Sequence, residues 1–412
     1  MRVLVLNSGS SSQKSALYEI EDKLPLDPPI PLWHAEIEWN AQSATLRAHG
    51  PADSSQEETI AVNERGAAIE HMLQTLWSGR NAAIRDNHSI DAVGHRVVHG
   101  GPHLAEPVVI NSEIKQMIVR AAVFAPLHNR AELEGIESIE RILGNVPQIA
   151  VFDTGFHRSL PPHAAIYPGP YEWFEQGIRR YGFHGINYQY CAGRAAQLIG
   201  RDPKSLKIVC CHLGNGCSLA AINSGRSVDT TMGFTPLDGL MMGTRSGSVD
   251  PGILTYLMRD QHLTGGDIDS LLNGRSGLLG ISGVSSDMRD VLSAMRDGND
   301  RARLAFDIFV HRLVQGIAAM VASLEGIDVL VFTAGIGEYS REVRSAACEK
   351  LKFLGLEVDS EMDLESGDRT ISTKRSKATV LVLHAQEDWE IAKVCAQLIR
   401  SCDPSSDLIA TR

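Results

Sequence analysis

The stretch VLVLNSGSSSQK, residues 3–14, decides the fold. Val3, Leu4, Val5 and Leu6 form a short unbroken apolar run, which reads as a buried strand. At Asn7 the strand gives way to Ser8-Gly9-Ser10-Ser11-Ser12, small residues whose N–H and O–H groups can reach phosphate oxygens. Lys14 adds a point charge beside them. The pattern falls short of a P-loop, because Gln13 stands where that motif needs its second glycine. Alone, the turn reads equally well as a Ser-rich hairpin.

Two later turns change that balance. Residues 206–211 form an apolar strand ending in His212-Leu213-Gly214-Asn215-Gly216, and 328–333 form another that leads into Gly335-Ile336-Gly337-Glu338. Three glycine turns behind apolar strands point to a nucleotide held between two domains. The first two would cradle the phosphates. The third, opening a helix, would suit the adenosine end or the α-phosphate.

Outward from these turns, strands are expected at 15–20, 30–38, 92–99 and 148–152. Helices are expected at 67–76, 112–122 and 130–143, which makes an α/β architecture. The polar segment 40–65 reads as a hairpin and a surface loop. The order then restarts: the strand at 206–211, its glycine turn and two short strands at 218–222 and 227–231 repeat the opening, so a duplication is expected. Further helices are expected at 250–259, 287–295, 300–324 and 387–400, with a last strand at 379–383. The 300–324 helix is apolar on more than one face, which places it in a core or a subunit interface.

The chain has 412 residues, more than one core usually serves, so two domains are expected. A net charge of −11 argues against a general nucleic-acid or anionic-membrane binder. Seven cysteines without a C-x-x-C spacing suggest reduced thiols in a cytoplasmic protein. With the first strand opening at residue 3, no secretory leader is expected, and no uninterrupted apolar run approaches the roughly 18 residues of a membrane span.

Arg96 in GHRVVHGG and Arg245 in MMGTRSG are flanked by glycine or apolar residues, an unusual setting for solvated charges. Arginine suits bidentate recognition of carboxylate or phosphate. His95 and His99 echo the H-x-x-x-H of a zinc helix, but Arg96 occupies the place of its Glu and the setting is a strand, which rules zinc out. His184, between glycines in RYGFHG, is a candidate through its loop; His128 is a weaker one. Cys210-Cys211 reads as packing. Asp153-Thr154-Gly155 matches an aspartic-peptidase triplet, but its partner would be Asp229-Thr230-Thr231, which lacks the glycine.

Together LNSGSSSQK, GHRVVHGG, APLHN, FDTGFH, RRYGFHG, HLGNG, SVDTTMGFTPLDGLMMGTRSG, SGLLGISG, SSDMRD and TAGIGE resemble the acetate kinase family, in order from residue 3 to about 395. The block from Ser227 to Gly247 is specific enough to carry the likeness almost alone. The resemblance implies two duplicated actin-like, ribonuclease H-like ATPase domains with an interdomain nucleotide cleft. Residues 1–155 plus 388–412 would form the acetate and phosphate side, and 156–387 the nucleotide-binding and dimerisation side of a homodimer. The implied substrates are acetate and ATP/ADP, with Mg²⁺ as cofactor and Mn²⁺ able to substitute.

Nucleotide contacts are implied for Ser10, Ser12, Lys14, His212, Leu213, Gly214, Asn215, Gly216, Asp287, Met288, Arg289, Gly335, Ile336, Gly337, Glu338 and Tyr339. Asn7 and Glu387 would place the metal. Arg96 would hold the acetate carboxylate, with Val98, Leu127, Phe183 and Pro236 around its methyl group. His184 and Arg245 would stabilise the transferring phosphoryl group, and Asp153 matches the family's proposed acid–base residue. Because acetate is already ionised at neutral pH, its attack needs no base, so Asp153 is expected to orient the metal's waters or a cationic partner.

The chain departs from the family at Ile186-Asn187-Tyr188, where Thr-Ser-His is usual, and at Tyr339, where Asn is usual. It departs again at His384-Ala385-Gln386, at Asp388 in place of a second Glu, and at Ser248-Val249-Asp250 in place of Asp-Ile-Asp.

Overall fold

The computed structural model describes residues 1–402 apart from 10–11, 40–42, 62–64, 125 and 360; the side chains of 53, 61, 126–128 and 402 also lie outside the description. The chain divides into two compact units, Met1–Gly155 with Gln386–Arg412, and Phe156–Ala385.

The first unit is built on strands β1 (Arg2–Ser8), β2 (Ser12–Glu19), β3 (Trp33–Trp39), β4 (Ser43–His49), β5 (Ser55–Ala61), β6 (Ala92–Val97), β7 (Val108–Val109) and β8 (Gln148–Phe152). They form one sheet in the order β5-β4-β3-β2-β1-β6-β8-β7. Val3 to Leu6 of β1 are fully buried, which explains their unbroken apolar run: a strand covered on both faces has no polar face to show. Helix Pro126–Leu143 packs on β1 and β6, and helix Glu387–Cys402, from the end of the chain, packs on the same two strands. Trp389 lays its ring 5.4 Å from that of Tyr18. Gly94 of β6 is needed for this docking, since a Cβ there would stand 2.6 Å from Ile391 Cγ2 and 2.7 Å from Cys395 Sγ.

The second unit has strands β9 (Lys207–Leu213), β10 (Cys217–Asn223), β11 (Arg226–Thr230), β12 (Val329–Thr333), β13 (Arg369–Thr370) and β14 (Thr379–Leu383), in the order β11-β10-β9-β12-β14-β13. This repeats β3-β2-β1-β6-β8-β7 strand for strand. In each unit two antiparallel pairings are followed by two parallel ones, and a short antiparallel strand closes the edge. The duplication expected from sequence is therefore present as topology, and the fold is a pair of actin-like α/β domains. The first unit's addition is β4 and β5, the hairpin expected within the polar segment at 40–65; it extends the sheet, and Ile60 of β5 packs against the core.

Helix Gly185–Ile199 was not anticipated. Its Gly, Asn and Tyr residues are poor helix formers, but Ile186, Asn187, Tyr188, Tyr190, Cys191 and Ala195 are buried, and that tertiary burial overrides propensity. Helices Gly265–Gly274 and Arg341–Lys350 were missed as well. Helix Asp300–Leu324 runs its full expected length, with Asn299 Oδ1 accepting the Ala302 N–H at 2.9 Å as its cap. Among the described residues it is the one helix long and apolar enough to cross a membrane; in this unit it packs on β9, β10 and β11.

Candidate active site

In the first unit, β1 and β2 place Asn7 opposite Lys14. The turn between them is a hairpin, with the Gly9 N–H donating to Ser12 O at 2.7 Å. Ser10 lies outside the described residues, and Ser12 is half-buried. Gln13, which breaks the P-loop pattern, is buried and accepts from Ser8 Oγ at 2.5 Å, so it serves the turn itself. Lys14 is exposed, 3.7 Å from Glu36.

Arg96 projects from β6 and forks onto Asp153, with Nε to Oδ1 at 3.0 Å and Nη2 to Oδ2 at 2.5 Å. Its Nη1 donates to Asn7 Oδ1 at 3.3 Å. Asn7 Nδ2 in turn donates to Asp388 Oδ1 at 3.0 Å and Glu387 Oε2 at 3.4 Å, in the first turn of the last helix. Burial works against the Arg96 charge, but Asp153, Glu387 and Glu132 outweigh it and hold its pKa above the ordinary arginine range. Burial pushes the Asp388 carboxyl up, and the Glu387 charge adds to the push. Val98 is buried, and its N–H donates to Glu132 Oε1 at 3.0 Å. Leu127 begins helix Pro126–Leu143, but its side chain, like that of His128, lies outside the described residues.

His95 and His99 are held by separate partners. His95 Nε2 is 2.7 Å from Gln148 Oε1, and His99 Nδ1 accepts the Gly101 N–H at 2.8 Å. Burial lowers their pKa values to about 4 and about 3, leaving both neutral. Among the described residues no group of three His, Cys, Asp or Glu side chains gathers as a metal cluster.

In the second unit, His184 takes a left-handed backbone (φ 59°) and ends the approach to helix Gly185–Ile199. Gly182 (φ 75°) permits the bend, because a Cβ there would stand 2.6 Å from the His157 ring. The His184 ring stacks on His212 with centroids 3.9 Å apart and planes 9° from parallel. His184 Nδ1 lies 2.8 Å from Ser218 Oγ, which also meets Tyr188 OH at 2.5 Å. Asn187 Nδ2 donates to His212 Nδ1 at 2.9 Å. Asn187 thus contacts His212 directly, and Tyr188 reaches His184 through Ser218.

Arg245 donates through Nη1 to Pro236 O at 3.2 Å and contacts Met242 Sδ at 3.8 Å. Among the described residues no carboxylate pairs with it, and burial lowers its pKa. Gly216 joins the two groups. A Cβ at Gly216 would lie 3.5 Å from Arg245 Nη1 and 3.6 Å from His184 Nε2, so both converge on a residue with no side chain to cover them. Phe183 is buried and Pro236 half-buried beside them in sequence and contact.

A cavity of about 680 Å³ opens in the same unit, within the range of small-molecule sites. Three loops singled out from sequence meet around it: Gly214 and Asn215; Asp287, Met288 and Arg289; and Gly335, Ile336 and Tyr339. Ser286, Leu292, Arg296, Ser340 and Glu342 complete the wall. Leu292 stands one helical turn after Met288, a spacing that could have found it. His212, Leu213, Gly216, Gly337 and Glu338 do not line this cavity. Glu338 turns toward the end of β14, where its Oε2 is 2.6 Å from His384 Nδ1 and its Oε1 accepts the Ala385 N–H at 3.0 Å. Buried Arg344, paired with Asp363, donates to Gly337 O at 2.8 Å and Glu338 O at 2.9 Å and so fixes the end of the short helix Ala334–Tyr339. No local sequence signal marks Arg344, Ser218 or Glu132.

The family model described as the acetokinase family matches residues 2–393. The acetate kinase of Trichormus variabilis is 56% identical over 403 residues, 97% of this chain and 100% of that protein. Among solved structures, the acetate kinase of Porphyromonas gingivalis is 38% identical with a TM-score of 0.88, covering 97% of this chain and 99% of that one. A propionate kinase from Francisella tularensis subsp. tularensis SCHU S4 is 35% identical with a TM-score of 0.87, covering 96% and 99%. Matched almost end to end by the family model and by these relatives, the chain belongs to the acetokinase family.

Proposed function

We propose that this chain is an acetate kinase, which moves the γ-phosphoryl group of ATP to acetate, giving acetyl phosphate and ADP reversibly by direct in-line attack. The observation that carries this reading is Arg245, a half-buried guanidinium without a carboxylate among the described residues, converging with His184 on Gly216. A partly desolvated charge without a counter-ion is poised for an anionic ligand, and the equatorial oxygens of a transferring phosphoryl group are such a ligand.

The acetate carboxylate is ionised at neutral pH, so the barrier lies in bringing two anions together. Arg96 is the group proposed to receive acetate. Its fork onto Asp153 supports a role for Asp153 in aiming that guanidinium, with no proton removed. The cavity beside Gly214, Asp287 and Gly335 is the proposed adenosine site, and Ser12 and Lys14 the proposed phosphate contacts of the first unit. Asn7 and Glu387 are the proposed holders of Mg²⁺, with Mn²⁺ able to substitute. Their hard oxygen donors suit it, and Asp388, held to Asn7, adds a second carboxyl beside them. Bound there, the ion would neutralise charge on the β- and γ-phosphates. A metal that keeps most of its waters needs no closed set of protein ligands, in keeping with the lack of a three-residue cluster among the described residues.

The second unit is the proposed dimerisation side. Helix Pro251–Asp260 buries none of its residues and leaves Ile253, Tyr256 and Met258 about half exposed. Val98, Leu127, Phe183 and Pro236 are the proposed surroundings of the acetate methyl. An added methylene is worth only about 1–3 kcal/mol in such a pocket, so propionate should be a poorer substrate that still reacts.

The test is hydroxamate trapping of acyl phosphate from Mg-ATP with acetate, propionate and butyrate. Turnover that is strongest on acetate and falls with chain length is the expected result. ATP hydrolysis with no trapped acyl phosphate would overturn the reading in favour of a partner-driven ATPase.

A further inference from the structure

Helix Pro126–Leu143 sends one acidic side chain into the interior of the first unit. Glu132 is 1% exposed. Its Oε1 accepts the Val98 N–H at 3.0 Å, and its Oε2 is buried without a hydrogen-bond partner among the described residues. Asn129, one turn earlier on the same helix face, also keeps a buried Oδ1 without a donor among the described residues. Acceptors are therefore crowded and donors scarce around this carboxyl. Val98 follows directly on β6, two residues after Arg96, so this bond ties Glu132 to the segment that carries Arg96.

The charged groups bearing on Glu132 are Arg96 from β6, which draws it toward ionisation, and Asp153 after β8, which opposes it. Both Asp153 oxygens already occupy the Arg96 fork. His99, in the loop after β6, is neutral. A second ionised carboxylate here would be attracted by Arg96 but would stand unsolvated, and burial outweighs the attraction.

We propose that Glu132 is a positioning residue that sets the net charge of the Arg96 site: as a neutral acid it leaves the guanidinium able to take a second carboxylate, and as an anion it opposes that carboxylate. The inference rests on the reading of Arg96 as the acetate-binding group. The proton concerned exchanges with solvent and takes no part in phosphoryl transfer. Burial raises the Glu132 pKa to about 8, which puts the change on the alkaline side of neutrality. The substrate it controls is any short anionic acid offered to Arg96, and affinity, not turnover, is the quantity it moves.

Two measurements test this on the full-length protein with Glu132→Gln, which keeps the acceptor for the Val98 N–H. Infrared difference spectroscopy across pH 6–10 should show a neutral-carboxyl C=O band that disappears near pH 8 in the wild type and is absent from the variant. KM for acetate should rise up to about tenfold per pH unit above that midpoint in the wild type, and this rise should be absent in Glu132→Gln, whose folding is checked by its melting curve. A variant that keeps the same alkaline rise, or a wild type without the titrating band, would overturn the inference. If Arg96→Ala leaves KM for acetate unchanged while the band persists, the Arg96 reading fails and the state of Glu132 stands.

Discussion

Arg96 and Arg245 belong to two units with one strand order, yet the two units treat a partly buried guanidinium in opposite ways. The first unit surrounds Arg96 with Asp153, Glu132 and Glu387 and holds its pKa high. The second gives Arg245 a carbonyl and a thioether, and burial pulls its pKa down. A paired arginine is part of its own fold. An unpaired one stores a demand for an anion. Duplication supplied the frame twice, and the charge balance around each arginine divides the labour.

The contrast breaks most visibly at Arg245. Arg245→Ala should cut kcat/KM for acyl phosphate formation by about 1000-fold or more, roughly 4 kcal/mol of transition-state stabilisation. The melting temperature should change little, because the lost charge had no carboxylate partner among the described residues and only a carbonyl and a thioether to lose. A variant that lost stability with activity would mean that Arg245 is structural, and the comparison would fail.

Arg96→Ala should behave differently. It leaves Asp153, 1% exposed, without its cation, and should cost about 3–5 kcal/mol of folding stability in denaturant titration in addition to activity. Stability equal to the wild type would show that the Arg96 pairing contributes nothing net.

Glu132→Gln sharpens the picture on the first unit's side. The folded pKa of about 8 lies above the ordinary 4.5, so the unfolded chain releases this proton first as pH rises. Wild-type stability should therefore fall between pH 4.5 and 8 and level off above, while the variant is spared. The two should match near pH 4, and the variant should lead by about 3 kcal/mol at pH 7, read from parallel urea melts.

The smallest effect belongs to the histidine pair. Tyr188→Phe removes one buried hydrogen bond from Ser218 and leaves the His184–Ser218 contact in place. It should cost about 1 kcal/mol, seen as a several-fold fall in kcat with KM for ATP unchanged. A rise in KM for ATP alone would place Tyr188 in nucleotide binding.

Much of this frame was legible because a buried parallel strand and a glycine turn leave local marks. The runs at 3–6 and 329–333 and the loops at 214–216 and 335–337 announce themselves, and the cavity gathers the loops they predicted. What stayed hidden depends on contacts distant in sequence. Helix Gly185–Ile199 exists because its neighbours bury it. Glu132 sits in AELEGIE, which reads as a solvated helical face, and only the packing of that helix on β6 turns the side chain inward. Glu338 lies in a loop that looks wholly devoted to nucleotide, yet its carboxylate holds the turn after β14.

The last helix has a consequence for how the chain is made. Glu387–Cys402 fills the face of β1 and β6 that Gly94 keeps open, but the ribosome delivers it after the whole of Phe156–Ala385. At typical synthesis rates of about 5–20 residues per second, the first unit waits roughly 10–50 seconds for its final piece. During that interval its central sheet has one apolar face bare, a candidate client surface for chaperones. Shortening the chain at its C-terminus would therefore injure the unit that is translated first.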